Sequence, residues 1–387
     1  MRATDCSGFE MNKAENLLMF AASEHDANML YAVGMFVPDP FIYCRLRRRH
    51  YIVMSDLEID RARSQAPHCR VLSLSRYQKS LCQAGTEKPG TADVIARILR
   101  QHRVRSVVVP YDFPSGLAAE LRSRRLSVRP RPGAFFPARQ QKSPSEVKKI
   151  SAALLMAEVG MAEAIQVLHS ARIAKDRRLI YHDVPLTSEK LRAVIDTAII
   201  QASGLASHTI VAGGHQGCDP HEPGYGPLRA HEPIILDIFP RSQKTGYFGD
   251  ITRTVVRGRA SEAVRKLYDT VLQGQKVAFK SVRTGVRTAD VHRAVQDFFK
   301  EQGYHTGKRR GRMEGFFHGT GHGLGLEIHE APRLAPTSTE VLRAGQVVTV
   351  EPGLYYPAIG GVRLEDVVLV ANHRPRNLTK FEKVLEI

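Results

Sequence analysis

The sequence predicts an α/β domain followed by a larger α+β domain, and three observations support this division. Residues 15–125 alternate helical stretches with short apolar runs, which is the pattern of an α/β fold. The segment VRPRPGAFFPARQQKSPSE then carries four prolines and a glycine, which interrupt any regular element. Beyond it, amphipathic helical stretches are mixed with strands rich in Val, Ile and Thr. We therefore expect domains at residues 1–140 and 141–387.

The first domain contains three apolar runs that predict buried strands. These runs are HYIVMS (50–55), HCRVLSL (68–74) and RSVVVPYD (105–112). Between the last two, TADVIARILRQH (91–102) has the apolar spacing of a helix.

The second domain is predicted to begin with a long helix. Ser143, Pro144 and Glu146 have the form of a capping box, with Ser at the N-cap, Pro at the first helical position and Glu at the third. We expect this helix to run to about Ile173. Helical spacing recurs at 186–204, 261–282 and 288–303, and strands are predicted at 233–239, 250–256, 346–356 and 361–370.

Composition narrows the class of protein. At 387 residues, with 43% apolar and 25% charged residues, the chain has the profile of an ordinary globular protein. It has no run of about 18 uncharged apolar residues, and its N-terminus lacks the apolar core of a signal peptide. The five cysteines are scattered and odd in number, so we expect reduced thiols at Cys6, Cys44, Cys69, Cys82 and Cys218. A cytoplasmic location is the resulting expectation.

The net charge of +17 is the unusual bulk property. It concentrates in RLRRRH (45–50), RSRRLSVRPRPG (122–133) and GKRRGR (307–312). Such runs can bind nucleic acid, but no aromatics are interleaved and Trp is absent, so solvated faces and loops are favoured. Because the last run ends shortly before His318, it is either a solvated turn or a field that attracts peptide carboxylates to a cleft.

Four acidic residues stand next to or within predicted strands. They are Asp237 in IILDIF, Asp250 in DITRTVV, Glu351 in VVTVEPG and Glu365 in VRLEDVV. A buried carboxylate must be paired with a cation or bind a metal. Strand periodicity places Asp250 with Thr252, Glu351 with Thr349, and Glu365 with Arg363 on shared faces. If these faces converge, the four carboxylates surround one point.

Simple ion pairing is the alternative for each acid taken alone, for example Asp250 with Arg253 or Glu365 with Arg363. The segment HGTGHGLGLEIHE (318–330) makes pairing of all four less favoured, because its glycines let three histidines aim at one cleft. Oxygen ligands with one imidazole favour Mn²⁺, Fe²⁺ or Co²⁺ over structural zinc. Bridging carboxylates could hold two ions roughly 3.5–4 Å apart.

Asp237, Asp250 in GYFGDITRT, His322 in HGTGHGLGLEIHE, Glu351 in VEPG and Glu365 in VRLED together resemble the metal ligands of the M24 metallopeptidases, in order and surroundings. This family includes Xaa-Pro aminopeptidases, Xaa-Pro dipeptidases (prolidases) and methionine aminopeptidases. The resemblance implies a pita-bread fold for residues 141–387. The preceding α/β domain resembles the creatinase-like N-terminal domain of the proline-specific branch.

The resemblance also implies roles for individual residues. His322 would be the imidazole ligand, with Asp237, Asp250, Glu351 and Glu365 as carboxylate ligands of two divalent ions, most simply Mn²⁺, with Co²⁺, Fe²⁺ or Zn²⁺ as alternatives. Glu351 would also handle the proton of the bridging water. The remaining catalytic residues implied are His318 and His329 at the substrate, His221 at the metal edge and Arg363.

Some assignments stay open within the resemblance. His215 competes with His221, which is preferred because Pro precedes it, while His208 and His231 are expected to play no direct part. The family usually reads Asp-x-Gly at the first ligand and reaches the second after eleven residues. Here Phe239 replaces the glycine and Asp250 follows Asp237 by thirteen positions. Phe239 could therefore narrow the pocket.

The resemblance implies a metal-dependent exopeptidase that hydrolyses Xaa-Pro bonds through a hydroxide shared by two metal ions, and that acts as a homodimer. Whether it is an aminopeptidase or a dipeptidase stays open. Two alternatives are a metal-dependent hydrolase of a small molecule on the same fold and a non-catalytic basic relative that binds RNA or ribosomes. A proline-containing peptide is the expected partner, whereas nucleic acid and membranes are not.

Overall fold

The computed structural model describes residues 15–387 and divides into two compact units between Pro137 and Ala138. The predicted boundary lay near residue 140. Cys6 and nearly all of the stretch considered for a signal peptide lie outside the described residues.

A six-stranded mixed sheet forms the centre of the first unit. Its strands are Leu17–Ala21 (β1), Phe41–Leu46 (β2), Arg49–Met54 (β3), Cys69–Ser73 (β4), Ser106–Pro110 (β5) and Ser127–Arg131 (β6). Their order is β4-β3-β2-β1-β5-β6, with β1, β2 and β3 antiparallel and the other pairs parallel. The three strands predicted from apolar runs are confirmed as β3, β4 and β5.

Helices cover both faces of this sheet. They are Ala27–Val33 (α1), Ile59–Gln65 (α2), Leu74–Gln83 (α3), Thr91–Gln101 (α4) and Ser115–Ser123 (α5). Alternate residues of the strands pack into two separate apolar clusters, one with α4 and α5 and the other with α1 and α2. This layering confirms the α/β prediction.

The second unit begins with the long helix Pro144–Ser170 (α6), for which Ser143 and Glu146 form the predicted capping box. The helix ends before the predicted Ile173. Three further helices confirm the other helical predictions: Ser188–Gln201 (α7), Glu262–Ser281 (α8) and Thr288–Glu301 (α9). By length and hydropathy α6 could cross a membrane, but its Ile150, Leu154, Met161 and Leu168 are buried within the unit, as in a core helix.

The strands of the second unit form small sheets. In chain order they are Arg172–Ile173 (β7), Leu179–Tyr181 (β8), Val184–Pro185 (β9), Gly204–Leu205 (β10), Ile210–Gly213 (β11), Ile234–Ile238 (β12), Arg241–Ser242 (β13), Ile251–Val255 (β14), Gly307–Arg309 (β15), Arg312–Glu314 (β16), Gly321–Gly323 (β17), Glu330–Leu334 (β18), Val347–Val350 (β19), Gly353–Tyr356 (β20), Gly360–Arg363 (β21), Asp366–Leu369 (β22) and Arg376–Asn377 (β23). Two sheets matter for the site: β11-β12-β14 and β18-β17-β19-β22-β23.

Two predicted strands are wrong as continuous elements. The run 346–356 is divided into β19 and β20 on either side of Glu351 and Pro352, and the run 361–370 is divided into β21 and β22 around Leu364 and Glu365. Pro352 has no backbone N–H to continue a ladder, which explains the first break. Both acids therefore lie between strands, so the prediction that strand alternation alone sets their faces is corrected.

Candidate metal centre

A cavity of about 720 Å³ in the second unit brings the predicted site residues together. Its wall includes all of them: Asp237, Asp250, His322, Glu351, Glu365, His221, His318, His329 and Arg363. His215, His208 and His231 are not among the residues that line it. The cavity therefore favours His221 over His215.

Two antiparallel strands present the aspartates. Asp237 is near the end of β12 and lies opposite Thr252 of β14, while Asp250 immediately precedes β14. Thr252 also reaches the neighbouring sheet, because its hydroxyl donates to Glu365 Oε2 at 2.8 Å and its carbonyl accepts from Glu365 N at 3.0 Å. Thr252 thus ties Glu365, which lies between β21 and β22, to the strands that present the aspartates.

His322 lies on the short strand β17, which packs closely against its neighbours. A Cβ added at Gly321 would lie 2.0 Å from the Thr349 carbonyl oxygen of β19, so only glycine is accommodated. The glycines were expected to let the histidines of this segment aim at one cleft. At Gly321 the close approach is to a neighbouring strand, which sets the depth at which the His322 ring enters the cavity.

The His322 ring presents a free nitrogen to the carboxylates. Its Nδ1 lies 3.1 Å from the Gly323 carbonyl oxygen, which places the ring proton there. Its Nε2 lies 3.3 Å from Glu351 Oε1 and 3.7 Å from Asp250 Oδ2. Burial lowers the pKa of His322 to about 4, so the ring is neutral at pH 7. A bound cation would stabilise this arrangement of a nitrogen lone pair facing two acids.

Asp250, Glu351 and Glu365 form what we call the acidic centre. Burial, reinforced by the mutual repulsion of these acids and Asp237, raises the pKa of Asp250 and of Glu365 well above the usual range. Burial likewise raises the pKa of Glu351 to about 7, although Arg363 opposes the shift. Within residues 15–387, no Lys or Arg side chain forms an ion pair with any of the three. The centre lacks a positive charge of its own.

The geometry of the acidic centre fits a divalent cation. One ligand atom each from Asp250, His322 and Glu365 lies within 4.8 Å of the others. Glu365 Oε1 is buried and has no hydrogen-bond partner among the described residues. Oxygen donors with one imidazole are the ligand set of Mn²⁺, Fe²⁺ or Co²⁺.

The ion pairs considered as an alternative are not formed. Arg253 binds Asp366 at 3.0 Å rather than Asp250, and Arg363 binds Asp237 at 2.6 Å rather than Glu365. Asp237 is therefore the one predicted ligand with a basic partner among the described residues, through its Oδ2 atom. Its other oxygen makes no hydrogen bond or ion pair that involves Arg363.

Tyr355 links Arg363 to His318, and the sequence interpretation missed it. The Tyr355 hydroxyl accepts from Arg363 Nη1 at 3.0 Å and lies 2.9 Å from His318 Nε2. His318 Nδ1 donates to the Gly319 carbonyl at 2.7 Å, so Nε2 is the acceptor of the Tyr355 proton. Burial and the charge of Arg363 lower the pKa of His318 to about 3, which keeps the ring neutral. Tyr355 follows the last residue of the VEPG motif by two positions, which was the available signal.

His329 and His221 lie at the accessible side of the cavity. The His329 ring packs edge-on against His322, with centroids 4.4 Å apart, and burial together with His322 lowers its pKa to about 4. Both His329 and His221 are exposed, as expected for side chains that meet a substrate rather than form the core.

Two further side chains shape the cavity. Phe239, the residue that departs from the family pattern, lines it together with Ile210, Phe317 and Ile328. Arg333 also lines it, is exposed, and forms no ion pair among the described residues. Arg333 lies opposite His322 in the β17–β18 pair, a placement that no local sequence pattern could have shown.

Comparison with known proteins gives a consistent result. Residues 148–372, more than half of the chain, match the family described as "Metallopeptidase family M24". The chain is 36% identical over 181 residues to an Xaa-Pro dipeptidase of Pyrococcus furiosus, a match that covers 46% of this chain and 49% of that protein. The chain spans about half the length of the curated relatives it matches.

Solved structures show the same fold over nearly the whole chain. The Xaa-Pro dipeptidase from Bacillus anthracis has a TM-score of 0.80 at 23% identity and covers 96% of this chain and 95% of its own. The X-Pro aminopeptidase from Thermotoga maritima MSB8 has a TM-score of 0.81 at 20% identity and covers 97% and 98%. At these identities the likeness shows the fold alone, and it confirms the α/β domain followed by a pita-bread domain.

Proposed function

Because the chain belongs to metallopeptidase family M24, we propose that it is a metal-dependent exopeptidase that hydrolyses the peptide bond preceding a proline. The observation that carries the proposal is the acidic centre, where buried Asp250 and Glu365, partly buried Glu351 and a neutral histidine meet without a Lys or Arg partner among the described residues. Such an arrangement costs folding energy unless a cation binds. The position of this centre in the wall of a cavity large enough for a small peptide supports a catalytic role.

Asp237, Asp250, His322, Glu351 and Glu365 would hold two divalent ions. Bound divalent ions lower the pKa of water and polarise a carbonyl oxygen, which makes hydrolysis possible at neutral pH. Glu351 is suited to take the proton of the attacking water, because its carboxylate lines the cavity beside His322 and the other expected ligands.

The remaining residues act on the peptide. Neutral His329, exposed in the cavity, can donate a hydrogen bond to a substrate carbonyl as charge develops there. His318 is held by Tyr355 and Gly319, and Tyr355 is in turn held by Arg363, so this chain of hydrogen bonds fixes one wall of the cavity. Phe239, Phe317 and Ile328 supply an apolar surface for a proline ring.

Arg333 supports a preference for short substrates. Its guanidinium lines the cavity without an ion-pair partner among residues 15–387, so it is available to a free C-terminal carboxylate. We therefore favour dipeptidase over aminopeptidase activity. An Arg333→Gln variant should raise KM for an Xaa-Pro dipeptide, and should change KM little when the C-terminus is amidated.

One assay tests the proposal as a whole. Hydrolysis of an Xaa-Pro dipeptide and an Xaa-Pro tripeptide is measured after chelation and again after Mn²⁺ or Co²⁺ is added. We expect activity only with metal and faster turnover of the dipeptide. Full activity in protein shown by elemental analysis to be metal-free would contradict the metal-dependent mechanism. Preference for the tripeptide would assign the protein as an aminopeptidase.

The two alternative functions are less well supported. A non-catalytic RNA-binding relative has no need of a buried acidic centre that costs stability. A small-molecule hydrolase on the same fold would show metal-dependent turnover of a non-peptide amide and none of Xaa-Pro peptides. The same assay therefore separates all three.

Manganese as the working metal, a homodimer and a cytoplasmic location remain predictions. Cys44, Cys69, Cys82 and Cys218 are free, which supports a reducing compartment. Metal-dependent activity profiles and light scattering test the metal and the oligomeric state directly.

A further inference from the structure

Glu330 follows His329 directly, and its carboxylate is the hub of a second buried charged group. Glu330 Oε1 accepts from the backbone N–H groups of Leu326 at 3.0 Å and Glu327 at 3.1 Å. Lys142 Nζ donates to Glu330 Oε2 at 2.7 Å, and Arg139 Nη2 donates to Oε1. We call Glu330, Lys142 and Arg139 the Glu330 cluster.

The cluster is largely buried, since the side chains of Arg139 and Glu330 are only 11% and 7% exposed. The Lys142 side chain is 1% exposed, and its Nζ also donates to the Arg139 carbonyl at 2.7 Å. A Cβ added at Gly325 would lie 2.6 Å from Glu330 Oε2, so the loop backbone rests directly on the carboxylate. The loop from Leu324 to Glu330 is thus folded around one side chain, and two cations from a distant segment hold that side chain in place.

This loop joins a metal ligand to a substrate residue. It begins just after His322 and ends at His329, whose ring stands at 84° to the His322 ring. His329 is exposed and has no hydrogen bond among the described residues that would orient its ring, so its position depends on the backbone beside it. That backbone is held at Leu326, Glu327 and Glu330 by the cluster.

We propose that the Glu330 cluster positions His329 for catalysis, and that Arg139 and Lys142 are therefore positioning residues of the active site. Both precede residue 148, where the match to the peptidase family begins. The proposal rests on the proposed function for its kinetic consequence, but the loop contacts on which it depends do not require any activity. A purely structural cluster would stabilise the protein without acting through His329.

Two variants and a matched control test the proposal in the full-length, metal-loaded protein. Lys142→Met removes the buried ammonium. Arg139→Gln is milder, because it leaves the Lys142–Glu330 pair intact, and it serves if Lys142→Met does not fold. The control is Glu327→Gln, which removes the other carboxylate bound by Arg139 at 2.7 Å but one whose side chain is 57% exposed.

The first measurement is hydrogen exchange of the loop amides. We expect the Leu326 and Glu327 amides to exchange at least about tenfold faster in Lys142→Met, since their acceptor is no longer held, with unchanged metal content.

The second measurement is kinetic. We expect kcat to fall roughly 10–100-fold with KM nearly unchanged, a size typical of lost support for a catalytic residue. Glu327→Gln should match the parent in kcat and KM and in the exchange of the Leu326 amide.

A double-mutant cycle separates positioning from general damage. In a His329→Ala background, Lys142→Met should lower kcat by less than about threefold, because the residue through which it acts is already gone. If Lys142→Met lowers kcat in that background by the same factor as in the parent, the proposal is overturned. It is also overturned if loop exchange is unchanged in both Lys142→Met and Arg139→Gln. If the parent protein hydrolyses no Xaa-Pro peptide while loop exchange still rises, the proposed function fails and the loop anchor stands.

Discussion

The acidic centre and the Glu330 cluster each place carboxylate charge inside the protein, but only in the cluster do basic side chains of the protein neutralise it. Glu330 has Lys142 and Arg139 within hydrogen-bond distance. Although burial favours the neutral acid, these two cations hold the pKa of Glu330 below its usual value. Burial raises the pKa of Asp250, Glu351 and Glu365 without such compensation.

The presence or absence of basic partners indicates different roles for the Glu330 cluster and the acidic centre. A carboxylate that the protein neutralises is part of the framework, because its charge is satisfied in the folded state. Carboxylates left without a cation make the folded state less stable until an ion binds. Because ion binding removes this destabilisation, the lost stability of the metal-free protein adds to its metal affinity. The same kind of side chain thus becomes an anchor or a ligand according to its neighbours.

The largest effect should come from removing a member of the acidic centre. Asp250→Ala or Glu351→Ala should abolish metal binding and activity together, with a loss greater than the roughly 100-fold caused by removing an outer partner of a metal site. Elemental analysis and peptide hydrolysis on the same preparation check this. If either variant keeps both metal and activity, the ligand set is wrong.

Replacing a substrate-facing histidine should leave the metal in place. His329→Ala is expected to lower kcat by about 10²–10³-fold, the cost of losing one donor to a developing charge. His318→Ala is also expected to lower kcat, because it removes the side chain that forms one wall of the cavity with Tyr355. Metal content should equal that of the parent. Loss of metal in either variant would mean that the histidine is a ligand, which would extend the metal centre beyond the acids and His322.

Charge-neutralising substitutions in the two groups should change stability in opposite directions. At pH 8 without metal, Glu351→Gln should raise the free energy of unfolding by roughly 1–3 kcal/mol, because it removes an acid whose raised pKa penalises ionisation. Glu330→Gln should lower it by about 3–5 kcal/mol, because two buried cations lose their partner. Denaturant unfolding of chelator-treated protein measures both.

The sign of the pH dependence provides the control for that comparison. A raised folded-state pKa contributes stability below the unfolded pKa that is lost as pH rises through the folded value, which is about 7 for Glu351. The advantage of Glu351→Gln should therefore disappear at pH 5. The destabilisation of Glu330→Gln should persist there, since the lowered pKa of Glu330 keeps its charge. If both variants change the free energy of unfolding in the same direction at pH 8, the acidic centre and the Glu330 cluster do not differ in this way.

The smallest effect is expected from the basic hairpin formed by β15 and β16. Its turn, Arg310 and Gly311, has positive φ values of 48° and 84°, and none of its arginines lines the cavity. Neutralising Arg309, Arg310 and Arg312 should raise KM for free-carboxylate peptides by no more than a few-fold at low salt, and not at all at high salt. A change as large as that of Arg333→Gln would place the hairpin at the substrate.

Much of the fold was predictable because it depends on local pattern. The capping box at Ser143, the spacing of apolar residues in α7 to α9 and the Val- and Ile-rich strands all lie within short windows of sequence. The strand breaks at Glu351 and Glu365 were missed because a run of β-forming residues does not show where pairing stops. Pro352 was the available signal at the first break.

The sequence by itself determined the identity and order of Asp237, Asp250, His322, Glu351 and Glu365, because ligand chemistry depends on residue type and each stands in a recognisable local motif. Only the tertiary structure decided which of the acids in and around the cavity receive a protein cation. Lys142 and Glu330 are 188 positions apart, and Arg363 and Asp237 are 126 apart. Ion pairs form between side chains that lie within about 4 Å of each other. Local periodicity in the sequence does not show which segments so far apart in the chain come that close.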